Sequence, residues 1–308
     1  LKEDVGITPK GIASLMVVYI VWGSTYLAIR VAVQEGSGFP PFTMALIRVT
    51  IAGILLLIWS ALVGKKIRPS RSEFGVLLGS GILLWTGGNG LVTWAEQRAA
   101  SGLAALIVAS MPLWVTLIEA VLERRVPSVR LMLALLIGFA GIGVLSTPEL
   151  QQGAHANLMS IFALLGASLS WAVGTVLQGR RPVSLSPQVS AGYQSLAGAV
   201  GFAVLVVLTG EPRPAPTVPA LFAVGYLTIF GSIVAFTAYV TTLRTLPMSV
   251  AMTYAYVNPV IAVFLGNLIL HEPITVWTVT GAALVVLGVA GVFRARYISA
   301  NYLARQSA

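Results

Sequence analysis

The sequence predicts an all-α membrane protein, with ten transmembrane helices arranged as two inverted five-helix repeats. Three observations predict it. Only 9% of the 308 residues are charged and 57% are hydrophobic, whereas a soluble domain carries roughly 25% charged residues. The apolar residues fall in runs of about 20, the length that crosses a bilayer core. Short motifs of the first half also recur in the second at a nearly constant spacing. A water-soluble fold of this size cannot hide so much apolar surface, so the lipid bilayer is the expected solvent.

In chain order the predicted helices are 11–33, 40–63, 74–97, 99–123, 128–147, 157–179, 188–209, 217–243, 248–270 and 274–294. The first run, from Gly11, is too long for a signal peptide and lacks a small-residue cleavage site, so it reads as a membrane helix. The breaks carry turn chemistry or charge: Gly38-Phe39-Pro40-Pro41, Gly64-Lys65-Lys66, Arg124-Arg125-Val126-Pro127, Gly210-Glu211-Pro212-Arg213-Pro214 and His271-Glu272-Pro273. A break near Glu96–Ala100 is also required, because fusing its two flanking helices would give an apolar segment of about 50 residues, too long for one crossing.

Charge placement is an independent guide to topology, since cytoplasmic loops hold the Lys/Arg excess. With both termini inside, the inner segments hold 15 of the 19 basic residues, namely Lys2, Lys10, Lys65, Lys66, Arg68, Arg71, Arg124, Arg125, Arg130, Arg180, Arg181, Arg244, Arg294, Arg296 and Arg305. The outer loops hold three, Arg30, Arg98 and Arg213, and Arg48 lies inside a helix. The expectation is a multi-pass protein of a bacterial inner membrane with both termini cytoplasmic.

The repeat follows from the motif spacing. At a shift of 147, Met111-Pro112 meets Asn258-Pro259 and Gly141 meets Gly288; at 149, Trp22-Gly23 meets Trp171-Ala172. The predicted domains are residues 1–147 and 157–294, followed by a cytoplasmic tail over 295–308. Five is odd, so tandem five-helix units enter the membrane in opposite senses, as in many secondary transporters.

Trp22-Gly23-Ser24-Thr25, Pro41 followed by Arg48, Met111-Pro112-Leu113-Trp114, and Asn258-Pro259-Val260 closing on His271-Glu272-Pro273 resemble the EamA-type drug/metabolite transporters. Within that superfamily the chain is most similar to the YddG-like exporters of aromatic and other amino acids. The resemblance implies alternating access and a central cavity lined mainly by helices 1, 3, 4, 6, 8 and 9. Met111 and Asn258 depart from it, standing where Glu often precedes the proline, and Arg125 stands where Glu usually closes the fourth helix.

Residues near mid-depth are the candidate substrate site. Trp22 and Tyr26 share a face of the first helix, Trp85 and Asn89 of the third, Trp171, Thr175 and Gln178 of the sixth, and Tyr254 and Asn258 of the ninth. Tyr239 joins them from the eighth. Their donors need partners where water is absent, which a wet cavity supplies and helix–helix hydrogen bonding would supply equally. Arg48 is either a substrate-carboxylate anchor or a brace for the outer end of the bundle. Pro112 and Pro259 are expected at mid-helix, as a paired hinge or as static kinks. Ala134 and Gly138 form a small-residue pair suited to close packing within the bundle.

The inventory narrows the function. The chain has no cysteine, so disulfides and thiolate metal sites are excluded, and no metal or other cofactor is expected. The histidines, His155 and His271, fall in loops, and no HExxH, GxSxG or Asp pair occurs, so no enzyme is expected. The net charge of +9 is scattered over short breaks with no continuous basic face, so no nucleic-acid partner is expected. No carboxylate lies at mid-helix depth, which favours small neutral or zwitterionic metabolites, amino acids among them, over lipophilic cations. A multidrug exporter of cations and a non-transporting scaffold or receptor are the alternatives.

Overall fold

The structure is a computed structural model that describes residues 7–33, 36–95, 107–145, 147, 158–270 and 274–306. The break near Glu96–Ala100, His155 and His271-Glu272-Pro273 lie outside the described residues.

Every regular element among the described residues is helical. We label them α1 (Pro9–Val33), α2 (Pro41–Leu62), α3 (Arg71–Ala95), α4 (Met111–Glu123), α5 (Val129–Leu145), α6 (Leu158–Arg180), α7 (Pro187–Thr209), α8 (Val218–Thr245), α9 (Tyr254–Leu270, after a single turn at Met248–Ala251) and α10 (Val276–Gln306). Seven helices are long and apolar enough to cross a membrane: α1, α2, α3, α6, α7, α8 and the Val276–Ala295 part of α10. The described parts of α4, α5 and α9 are shorter.

The local sequence explains the ends. Ser70 and Glu73 form a capping box that starts α3 three residues before the predicted boundary. Ser186 and Thr217 cap α7 and α8, and α2 and α7 each begin on a proline, Pro41 and Pro187. Gly210 closes α7 in the left-handed conformation, at φ 63°. α10 continues through the described part of the expected tail to Gln306, because no Gly or Pro follows Gly291 to stop it.

Two internal stretches depart from α geometry. Ile82–Gly90 within α3 and Leu227–Ala235 within α8 are π-helical, nine residues each. They occupy corresponding places in the two halves.

Packing repeats the same correspondence. α3 lies against α6 as α8 lies against α1, and α4 against α6 as α9 against α1. α2 packs on α7, and α5 on α10, each pair mapping onto itself. The α2·α7 crossing is close because Gly53 and Gly192 face each other: an added Cβ on either would sit 3.0 and 3.3 Å from the other's carbonyl oxygen. At the α5·α10 crossing, a Cβ on Gly288 would lie 2.5 Å from the Gly138 backbone and 2.9 Å from the Ala134 oxygen. Ala134 and Gly138 therefore do pack within the bundle, where small residues let backbones touch.

α2 and α7 run antiparallel. Lys65 after α2 reaches Gln188 at the start of α7 (3.1 Å), while Glu211 after α7 accepts from the amides of Phe42 and Thr43 at the start of α2 (2.9 and 2.7 Å). Outward faces carry large exposed side chains such as Ile20, Trp59, Val207 and Leu287. Such a continuous apolar surface belongs against hydrocarbon.

Candidate functional site

The two π stretches flank the main cavity and anchor its walls. A π turn shifts the backbone ladder, and such bulges recur at functional sites. Here each stretch gives a carbonyl to a side chain from the opposite half. Trp22 Nε1 on α1 donates to Gly231 O at 3.1 Å, and Ser170 Oγ on α6 donates to Leu83 O at 2.8 Å.

The cavity measures about 80 Å3, room for several waters, since one water needs roughly 10–15 Å3 of such space. α1 contributes Trp22, Thr25 and Ile29; α3 contributes Trp85, Gly88, Asn89 and Val92. Val108 and Met111, then Ala167, Ser168 and Trp171 of α6, and Tyr254 and Asn258 of α9, complete the wall with Arg48 of α2. Arg48 adds α2 to the helices expected to form most of the wall, and none of the described lining residues comes from α8. α8 instead stands behind the wall, holding Trp22 through Gly231 and Arg48 through Ser232.

The wall is an aromatic cluster. Trp22 meets Trp171 edge-on at 5.6 Å and Tyr254 edge-on at 5.1 Å, and Trp85 lies 4.8 Å from Phe236. Glycines set these rings. A Cβ on Gly88 would lie 2.6 Å from Trp171 Cε3, and one on Gly198 2.4 Å from Trp85 Cβ.

Arg48 is only 3% exposed. Its Nε donates to Ser232 Oγ at 2.6 Å, and its guanidinium carbon lies 5.2 Å from the Trp85 ring centroid. Its Nη1 is buried with no partner. Three other wall residues also hold a buried polar atom without a partner: Trp85 Nε1, Asn89 Oδ1 and Trp171 Nε1. Native interiors rarely leave such atoms unpaired, and each needs an explanation, an absent ligand or water among them. Asn258 is better served: with its amide nitrogen turned to the carbonyls of Tyr254 (3.1 Å) and Tyr19 (3.2 Å), it ties α9 to α1.

Of the residues singled out from sequence, Trp22, Arg48, Trp85, Asn89, Trp171, Tyr254 and Asn258 come together on the wall. Thr175, Gln178 and Tyr239 stand beside it. Thr175 Oγ1 bonds the Trp171 carbonyl and pairs with the Tyr239 hydroxyl, while Gln178 accepts from Gln194 Nε2 at 2.8 Å. The Tyr26 side chain lies outside the described residues. Pro112 is corrected: it falls in the first turn of α4, where its missing N–H costs nothing, and only Pro259 sits inside a helix. Thr25, Ile29, Val92, Met111 and Ser168 are wall residues that sequence reasoning missed. Thr25 and Ser168 lie three residues from Trp22 and Trp171, so helical spacing was the available signal.

Two related helical halves that close on an aromatic cavity at their interface define a multi-pass membrane protein of the transporter class. The chain belongs to the EamA-like transporter family, whose pattern matches residues 9–147 and again 158–294. It is similar to the uncharacterized inner membrane transporter YedA of Escherichia coli, 38% identical over 257 residues, which covers 82% of this chain and 81% of that protein. An uncharacterized Synechocystis transporter, sll0355, is 26% identical over 278 residues, covering 85% and 83%. A solved crystal structure superimposes with a TM-score of 0.76 at 21% identity, covering 94% of this chain and 99% of that one, a likeness of fold. The chain thus groups with transporters and not with enzymes.

Proposed function

We propose that the protein is a secondary transporter of a bacterial inner membrane that exports small zwitterionic or neutral metabolites, amino acids with aromatic side chains among them, by alternating access. The observation that carries this is the convergence of unpartnered polar atoms, on Arg48, Trp85, Asn89 and Trp171, within one aromatic wall. Ring faces suit an aromatic or aliphatic body, and the polar atoms suit the charged ends of a small zwitterion. A charged wall residue that is a cation, with no carboxylate among the described wall residues, weighs against lipophilic cations. The antiparallel α2 and α7 support oppositely inserted halves. The basic residues of the 64–73 loop support cytoplasmic termini.

Counterflow in proteoliposomes tests the proposal, with a panel of amino acids and amphipathic cations. Saturable exchange of aromatic amino acids, exceeding that of the cations, is expected. Exchange of cations alone, or of nothing, would overturn it.

A further inference from the structure

Arg48 has a counterpart. An offset of 146 residues that sets Pro41 on Pro187, the first residues of α2 and α7, also sets Arg48 on Gln194. Both side chains are buried, at 3% and 0% exposure. Both reach a serine on the π-bearing helix of the other half: Arg48 Nε to Ser232 Oγ at 2.6 Å, Gln194 Nε2 to Ser80 Oγ at 2.8 Å. A neutral amide therefore suffices to brace this position. Gln194 leaves only a neutral carbonyl oxygen without a partner, whereas Arg48 leaves a charged donor, Nη1.

Among the described residues no carboxylate pairs with Arg48. Glu73 and Glu211 cap helices, and the one ion pair among the described residues is Arg180–Glu123 at 2.7 Å. A buried charge with no counter-charge is the costliest group a fold can hold, so it persists where something else neutralises it. Arg48 is also held in place before any ligand arrives. Ser232 fixes Nε, the Trp85 ring lies beneath the guanidinium, and Gly231 leaves space for Nη2, which would be 3.0 Å from a Cβ there. Pre-orientation of a planar fork is what carboxylate recognition requires.

We infer that Arg48 is the anion anchor of the cavity, and that the solute it binds must carry a carboxylate. The unpartnered Nε1–H groups of Trp85 and Trp171 are further donors for its oxygens, and Asn89 Oδ1 is an acceptor for an ammonium. The inference deepens the transport proposal as regards substrate class, but the binding it describes does not depend on movement across a membrane.

The test separates the two. Thermal melting of the purified full chain is followed with phenylacetate and with phenylacetamide, which differ only in the carboxylate. Phenylacetate should raise the melting temperature of the wild type and phenylacetamide should not. Arg48→Gln, which copies the second half, should lose the response, with affinity for phenylacetate falling about 10- to 100-fold, as for deletion of a charged hydrogen-bond partner. If Arg48→Gln does not fold, Arg48→Lys serves: it keeps the charge but not the fork, and should respond at higher phenylacetate concentration than the wild type. Equal responses to acid and amide, no response of the wild type to the acid, or an undiminished response in the variant would overturn the anchor. In vesicles, Arg48→Gln should lose L-phenylalanine counterflow at least about tenfold more than L-phenylalaninamide counterflow. Carboxylate-dependent melting without any amino-acid exchange would uphold the anchor and overturn the amino-acid transport proposal.

Discussion

Replacing Trp171 with alanine removes two ring contacts, the edge-on contact with Trp22 at 5.6 Å and the tilted contact with Tyr239 at 5.9 Å. Each such pair is worth about 0.5–1.5 kcal/mol beyond area burial, so the two contacts account for about 1–3 kcal/mol, and the lost burial of the half-buried indole brings the total toward about 3–5 kcal/mol. The Tyr239 hydroxyl beside the indole keeps its pairing with Thr175 Oγ1, so removing the ring strands no other group. The solute feels a separate effect. An aromatic solute that packs on Trp171 loses one ring contact, again about 0.5–1.5 kcal/mol, which is about a 2- to 13-fold loss in affinity. Alanine has no ring to lose. The assay is counterflow of L-phenylalanine and L-alanine by wild type and Trp171→Ala at matched amounts of inserted protein. The phenylalanine-to-alanine ratio should fall by about 2- to 13-fold. An equal loss for both solutes, or no loss, would return Trp171 to helix packing and refute the placement of the solute against it.

Trp22→Phe keeps a ring but deletes the Nε1 donor to Gly231 O. Melting should show a loss of about 0.5–1.5 kcal/mol, and an unchanged melting temperature would mean that the bond contributes nothing. Pro259→Ala restores a backbone bond within α9 and should slow turnover more than it raises KM. Pro112→Ala, in the first turn of α4, should leave both unchanged; equal effects of the two variants would revive the paired hinge. For topology, a cysteine placed by Arg213→Cys should label in intact cells and one placed by Arg68→Cys only after permeabilisation. Labelling of both from the same side would contradict inverted halves.

Hydropathy located the helices because length and apolarity suffice to mark a crossing, and turn residues mark the breaks. It did not mark where α10 ends, because polar residues after Gly291 continue a helix as readily as apolar ones. The π stretches were not legible: Ile82–Gly90 and Leu227–Ala235 read as ordinary apolar helix. The site was legible in part. Face-sharing at i and i+4 grouped Trp85 with Asn89 and Tyr254 with Asn258, and both pairs lie on the cavity wall. It also grouped Thr175 and Gln178 with Trp171, and these stand beside the wall, because four and seven residues climb about 6 and 10 Å along a helix. That climb takes a side chain past the end of a cavity this small. Arg48 reaches the wall from a helix outside the set that the resemblance makes its main lining, since a long side chain reaches where its backbone does not.

The pairing pattern of the helices separates what must move from what need not. Suppose the opening of the cavity to one side is reversed by each half adopting the shape of the other. Contacts that map onto themselves, α2 on α7 and α5 on α10, come through that exchange unaltered. Their glycine crossings, Gly53 with Gly192 and Gly138 with Gly288, leave no room for a Cβ without crowding the facing helix. The contacts of α1 with α8 and α9, and of α6 with α3 and α4, instead trade places. The bundle then has two fixed bearings and a moving middle. A cross-link across either glycine crossing should leave the cycle running, whereas one joining α1 to α9 should arrest it.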